Sequence, residues 1–150
     1  MAATPLSKTF TIKNLQDVIT GLAKWGDAAI PALGVALYEE AENTMTQAKR
    51  YTPVDTGNLK ASGFVEPPWF SHSAITVNLG FGGPAGTGNH GGQTNERTVG
   101  YAVYVHENLT ARHKTGRAKF LETAVVERIP ELPQSLARRA RRALAERGLI

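Results

Sequence analysis

One feature limits this chain more than any other: a long apolar stripe at helical spacing that a proline cuts off. Ile30, Leu33, Leu37, Ala41, Met45 and Ala48 step by three or four residues, the interval that stacks side chains along one face of an α-helix. The pattern predicts a helix from about Asp27 to Arg50. Pro31 fits it only in the first turn, where a missing N–H costs nothing. Pro53 ends it. Glu39, Glu40 and Glu42 alternate with the stripe and read as solvent-facing or partner-facing.

Short β segments flank this helix. Residues 7–13 alternate at Phe10 and Ile12, a strand pattern. Residues 62–67 and 73–81 read as two more strands, the second with Ile75, Val77, Leu79 and Phe81 in alternation. Pro67 and Pro68 bar the stretch between them from a central strand. The run Tyr101 to His106 is rich in β-type residues and is expected as a further strand. Asn14 and Asp17 resemble a helix start, with Leu15, Val18, Ile19 and Leu22 on one face. Helices are also expected at 117–129, with Phe120, Leu121, Ala124, Val125 and Ile129 inward, and at 134–147, with a narrow stripe of Leu136, Ala140 and Leu144. The order implies an α+β fold: a small antiparallel sheet packed against a long N-terminal helix and C-terminal helices. A chain of 150 residues holds one such domain, here 1–150 with its core at about 7–130. Residues 82–98, rich in glycine, read as a flexible arm.

Composition closes several routes. With no cysteine there is no disulfide, zinc–thiolate site, iron–sulfur cluster or thiol nucleophile. No run reaches the roughly 18 apolar residues of a membrane span, and the first eight residues do not read as a signal peptide. The net charge is +4, and all of the excess lies in the segment carrying Arg138, Arg139, Arg141, Arg142 and Arg147 against Glu146. The basicity therefore belongs to one C-terminal helix, 131–150, and not to a domain-wide face. It suits a solvated face or an acidic protein partner; phosphate binding is the other use of such a helix.

Several motifs suggest chemistry. Gly86 to Gly91 spells GxGxxG, but no buried strand precedes it and no apolar helix follows, as a dinucleotide site requires. Asp55-Thr56-Gly57 is the aspartic-protease tripeptide, yet it lacks the apolar strand context. As a capping or Asx-turn residue, Asp55 is better explained. His72, His90, His106 and His113 show no metal-ligand spacing, although His106 and Glu107 place an imidazole beside a carboxylate. No serine stands in a nucleophile elbow. No catalytic, metal or cofactor-binding residue is assigned, and an enzyme is not expected.

The order of segments does resemble a family. A long helix runs into Tyr51-Thr52-Pro53-Val54-Asp55-Thr56-Gly57-Asn58-Leu59-Lys60-Ala61-Ser62. Val99-Gly100-Tyr101-Ala102-Val103-Tyr104-Val105-His106-Glu107 follows two strands later, and then Arg117-Ala118-Lys119-Phe120-Leu121-Glu122-Thr123-Ala124. This is similar to the gene-product-ten-like neck and tail-completion proteins of long-tailed bacteriophages, with minor tail protein Z a distant relative. The match spans residues 27–130. In this chain Lys119 stands where the family pattern has proline, and His106 separates the valine from Glu107.

The resemblance implies a non-enzymatic virion protein that forms a ring, a hexamer, in the neck between head and tail. Its partners would be other copies of itself, a head-closure or adaptor protein, and a tail terminator or tail tube protein. DNA would pass through the lumen without sequence-specific binding. The chain would lie in the virion, and in the host cytoplasm during assembly. Pro53, Asp55, Thr56 and Gly57 would form a structural turn. Interface candidates are Trp69 and Phe70, the arm residues Gly83, Gly86, Asn89 and Gly92, then Tyr101, Tyr104 and Glu107, and finally Arg138, Arg139, Arg141 and Arg142. As strand residues spaced i, i+3, Tyr101 and Tyr104 would point to opposite faces. The alternative reading is a nucleic-acid-binding accessory protein that uses the arginine helix.

Overall fold

The computed structural model describes residues 6–13, 28–53, 58–82, 96–110 and 116–150, with residues 58 and 96–101 as backbone only. The predicted helix at 15–22, Trp25, and the residues Asp55, Thr56, Gly57, Gly83, Gly86, Asn89 and Gly92 lie outside the described residues.

The long stripe forms α1, Ala29–Tyr51. Pro31 sits in its first turn, and Thr52 ends it with extended backbone. The Thr52 hydroxyl donates to the Ala48 carbonyl at 2.7 Å, which satisfies one of the terminal carbonyls that a helix end leaves open. Leu37, Ala41, Met45 and Ala48 are buried. They pack on the inner face of the sheet, where Ile75, Val77, Leu79 and Phe81 are fully buried in one cluster with them.

That sheet has four strands: β1 Leu6–Ile12, β2 Gly63–Val65, β3 Trp69–Phe70 and β4 Ile75–Phe81. β4 is central and every pairing is antiparallel. β1 runs along one side of it from Leu6 opposite Phe81 to Ile12 opposite Ile75. β2 and β3 share the other side, broken at Glu66-Pro67-Pro68, where proline cannot donate to the ladder. A four-residue helix, α2 Asn58–Ala61, precedes β2. Ser62 then ties this corner together. Its hydroxyl donates to the Leu59 carbonyl at 2.6 Å and accepts the Gly82 N–H at 3.1 Å.

Three helices complete the chain: α3 Glu96–Glu107, α4 Phe120–Arg128 and α5 Leu132–Glu146. The expected strand at 101–106 is thus the second half of a helix. Ala102, Val105 and His106 recur at helical spacing and are buried, so core packing overrides the β-type composition. The premise that placed Tyr101 and Tyr104 on opposite faces falls with the strand. Phe120, Leu121 and Ala124 of α4 face inward as expected, whereas Ile129, just beyond its end, is exposed. No helix among the described residues is long and apolar enough to cross a membrane.

Candidate functional site

Glu40 falls on the apolar stripe of α1, seven residues after Leu33 and three after Leu37. It is fully buried. The expectation that it faces solvent or a partner is overturned by the C-terminal helices, which bring cations to it from the end of α4 and from α5. Arg139 Nε donates to Glu40 Oε1 at 2.6 Å, and Arg128 Nη2 donates to Oε2 at 2.7 Å. The Ser135 hydroxyl donates to Oε1 as well. Burial alone would raise the Glu40 carboxyl, but the hydrogen bonds from Ser135, Arg128 and Arg139 outweigh it, and the group is held below its ordinary value. Beside it Glu39 accepts from Arg139 Nη1 at 3.0 Å and from Arg142. Two of the four arginines expected at an interface, Arg139 and Arg142, are therefore held within the chain.

About two turns nearer the start of α1 the two helices touch through small residues. Ala32 packs against Ala143 and Leu144 of α5. Alongside this contact lies an apolar groove of about 280 Å³, walled by Ala29, Ala32 and Leu33 on one side and Ala140 and Leu144 on the other. Ala137 and Arg141 complete the lining. The ion pairs of α5 use Arg139 and Arg142; Arg138 and Arg141, both exposed, hold none among the described residues.

A second polar cluster joins α3 to α4. His106 is 2% exposed, and its ring meets Phe120 edge-on at 5.0 Å. The Glu122 N–H donates to His106 Nε2 at 3.3 Å, so Nε2 bears no proton. Nδ1 therefore carries the proton and donates to Glu107 Oε1 at 2.8 Å. Burial pushes the imidazole below its ordinary value, and the Glu107 carboxylate only partly opposes this. Glu107 also pairs with Lys119, which reaches Glu122 at 3.4 Å. The imidazole–carboxylate pair expected from sequence exists, but it closes a helix joint. No group of three possible metal ligands occurs among the described residues.

The exposed apolar residues lie elsewhere. Trp69 is 69% exposed. Phe70 is half-covered, with its ring against Gly34, where an added Cβ would come within 2.5 Å of it. Tyr104 is 65% exposed, and Leu109, Val126 and Ile129 are exposed too. Pro53 is buried at the end of α1. Here Arg117 N–H donates to the Tyr51 carbonyl at 2.8 Å, and the Arg117 guanidinium lies 4.1 Å from the Tyr51 ring centroid.

The structure thus leaves Trp69, Phe70, Tyr104, Arg138 and Arg141 at the surface and draws Arg139, Arg142 and Glu107 into internal pairs. The residues that sequence reasoning missed are Glu40, Ser135 and Arg128. A glutamate on the apolar stripe was the available signal, since such a position demands a buried counter-charge. Comparison of the chain with known protein families, curated proteins and solved structures returns no match.

Proposed function

We propose that this chain is a structural protein of the phage neck, forming an oligomeric ring that joins the DNA-filled head to the tail. The observation that carries the reading is two dissimilar features: the exposed Trp69 and half-covered Phe70 at the broken sheet edge, and an apolar groove between α1 and α5 whose walls are largely buried and whose rim exposes Ala137 and Arg141. A closed ring built head to tail needs two different, complementary patches on every copy. Exposed aromatic side chains are common interface anchors. The sequence resemblance, from the long helix through Leu59 and Ser62 to Phe120, supports the same role and implies six copies. The head-closure or adaptor protein would then bind one face of the ring and the tail terminator or tube the other, with DNA in the lumen.

Crosslinking with mass spectrometry on purified particles tests this. Links from this chain to head-closure and tail-terminator subunits are expected. Its absence from particles would overturn the reading. The nucleic-acid-binding alternative would then lead, although Glu39 and Glu40 already hold Arg139 and Arg142.

A further inference from the structure

The groove between α1 and α5 has a definite chemical preference. Its walls are alanine and leucine, except for Arg141. A guanidinium on an apolar wall, without a carboxylate partner among the described residues, suits the face of an aromatic ring. Arg138, one turn earlier, donates to the Ser135 hydroxyl at 3.4 Å and holds no carboxylate among the described residues. The groove therefore fits a flat aromatic group with a negative charge a few ångströms away.

The chain carries that group on another side. Trp69 pairs with Thr76 of β4, and the Glu66 N–H donates to the carbonyl of Asn78, two residues along the same strand. Trp69 and Glu66 consequently stand on one face of the sheet, spaced by about 7 Å along β4. Asn78 Nδ2 donates to Glu66 Oε2 at 3.1 Å. This neutral partner orients the carboxylate without cancelling its charge. The indole cannot reach the groove of its own molecule. Its neighbour Phe70 pairs with the buried Ile75 and rests on Gly34 of α1, so Trp69, alternating with it, stands on the sheet face turned away from α1.

We infer that Trp69 of one copy docks in the α1–α5 groove of the next, with Glu66 meeting Arg138 and Arg141, and that this head-to-tail contact builds the ring. The inference rests on the ring reading above and names the two surfaces that meet.

The absence of cysteine makes the test direct. Pro67→Cys marks the tryptophan side and Ala137→Cys marks the groove. Mixed under mild oxidation, the two variants are expected to form a disulfide dimer holding one of each, while neither variant alone links to itself. Adding Trp69→Ala to the first variant should cut the yield of mixed dimer at least about tenfold, as truncation of an interface anchor does. It should leave the circular dichroism spectrum unchanged, because the side chain is exposed. Glu66→Arg should weaken the link, and Arg141→Glu in the other partner should restore it. Self-linking of Pro67→Cys alone would show a symmetric contact and overturn the proposal. Native mass spectrometry of the unmodified chain separates the two ideas. Rings without the mixed disulfide would refute this contact and leave the ring standing; a monomer at every concentration would count against both.

Discussion

At Lys119 the backbone is left-handed, with φ 56° and ψ 30°, just before α4. The residue's N–H donates to the His106 carbonyl at 2.7 Å. Proline, with φ fixed near about −65° and no N–H, cannot occupy this position. Lys119→Pro should lower the urea midpoint sharply, and Lys119→Gly, which tolerates positive φ, should not. A Lys119→Pro variant as stable as the parent would refute the account. Gly116 is stricter. Its φ is 78°, and an added Cβ would lie 2.5 Å from the Pro53 nitrogen. Gly116→Ala should cost at least about 1–3 kcal/mol, read as a shift in the same midpoint. His106 adds a pH dependence. Its folded imidazole titrates below the ordinary 6.5, so below that pH the unfolded chain takes up a proton that the folded chain refuses. Stability therefore falls as pH drops from about 6.5 toward the folded value. The groups facing the ring, Glu107, Lys119 and Glu122, come from both α3 and the start of α4. His106→Gln should flatten the difference between midpoints at pH 7 and pH 5.5, and an unchanged difference would show that His106 does not set it.

Among the elements, the joint between α1 and α5 dominates. Glu40 accepts from Ser135 and Arg139 of α5 and from Arg128 at the end of α4. Glu40→Ala removes the buried carboxylate that Arg128 and Arg139 share, leaving them only the exposed Glu131 and the half-exposed Glu39, and should cost about 3 kcal/mol, the lower end of what breaking one side of a buried pair costs. Replacing Glu40, Arg128 and Arg139 together by methionine should recover most of that loss. Chemical denaturation of the single and triple variants measures both. Equal losses would mean that the charges themselves, and not their mutual satisfaction, hold the joint. The Glu40 carboxyl also titrates below its ordinary 4.5. Its contribution is complete above that pH and is lost as acid passes through the lowered value. Sequence made the joint only half legible. The stripe of α1 and the alternation in β4 are periodic signals, and both elements appear within two residues of where they were expected. The segment Tyr101 to His106 misleads because valine and tyrosine favour strands, while the spacing of Ala102, Val105 and His106 is helical. In so short a run, composition and period disagree, and only the core that receives these side chains decides between them. Glu40 was hidden for a related reason. Its counter-charges, Arg128 and Arg139, lie 88 and 99 residues away in sequence.

For the whole molecule, the structure redistributes a charge that the sequence places in one helix. The C-terminal arginines make the chain basic, yet Arg139 and Arg142 neutralise Glu39 and Glu40 of α1. Within α5, Arg138 and Arg141 are left without an ion pair among the described residues, Arg141 on the wall of an apolar groove. A helix offering four cations to a duplex would release about four counterions, and the logarithm of affinity would fall against the logarithm of salt with a slope of about −4. Two cations give a slope of about −2 and a weak, nonspecific affinity. Fluorescence anisotropy of a labelled duplex, titrated with the chain across a salt series, distinguishes these cases. The fold predicts the shallow slope, reduced by about one unit in Arg141→Ala and unchanged in Arg139→Ala variants that remain folded. A slope near −4 would mean that α5 leaves α1 when DNA is present, trading its internal acids for phosphates. The molecule would then be a nucleic-acid binder first, and the groove a consequence of how it rests when unbound.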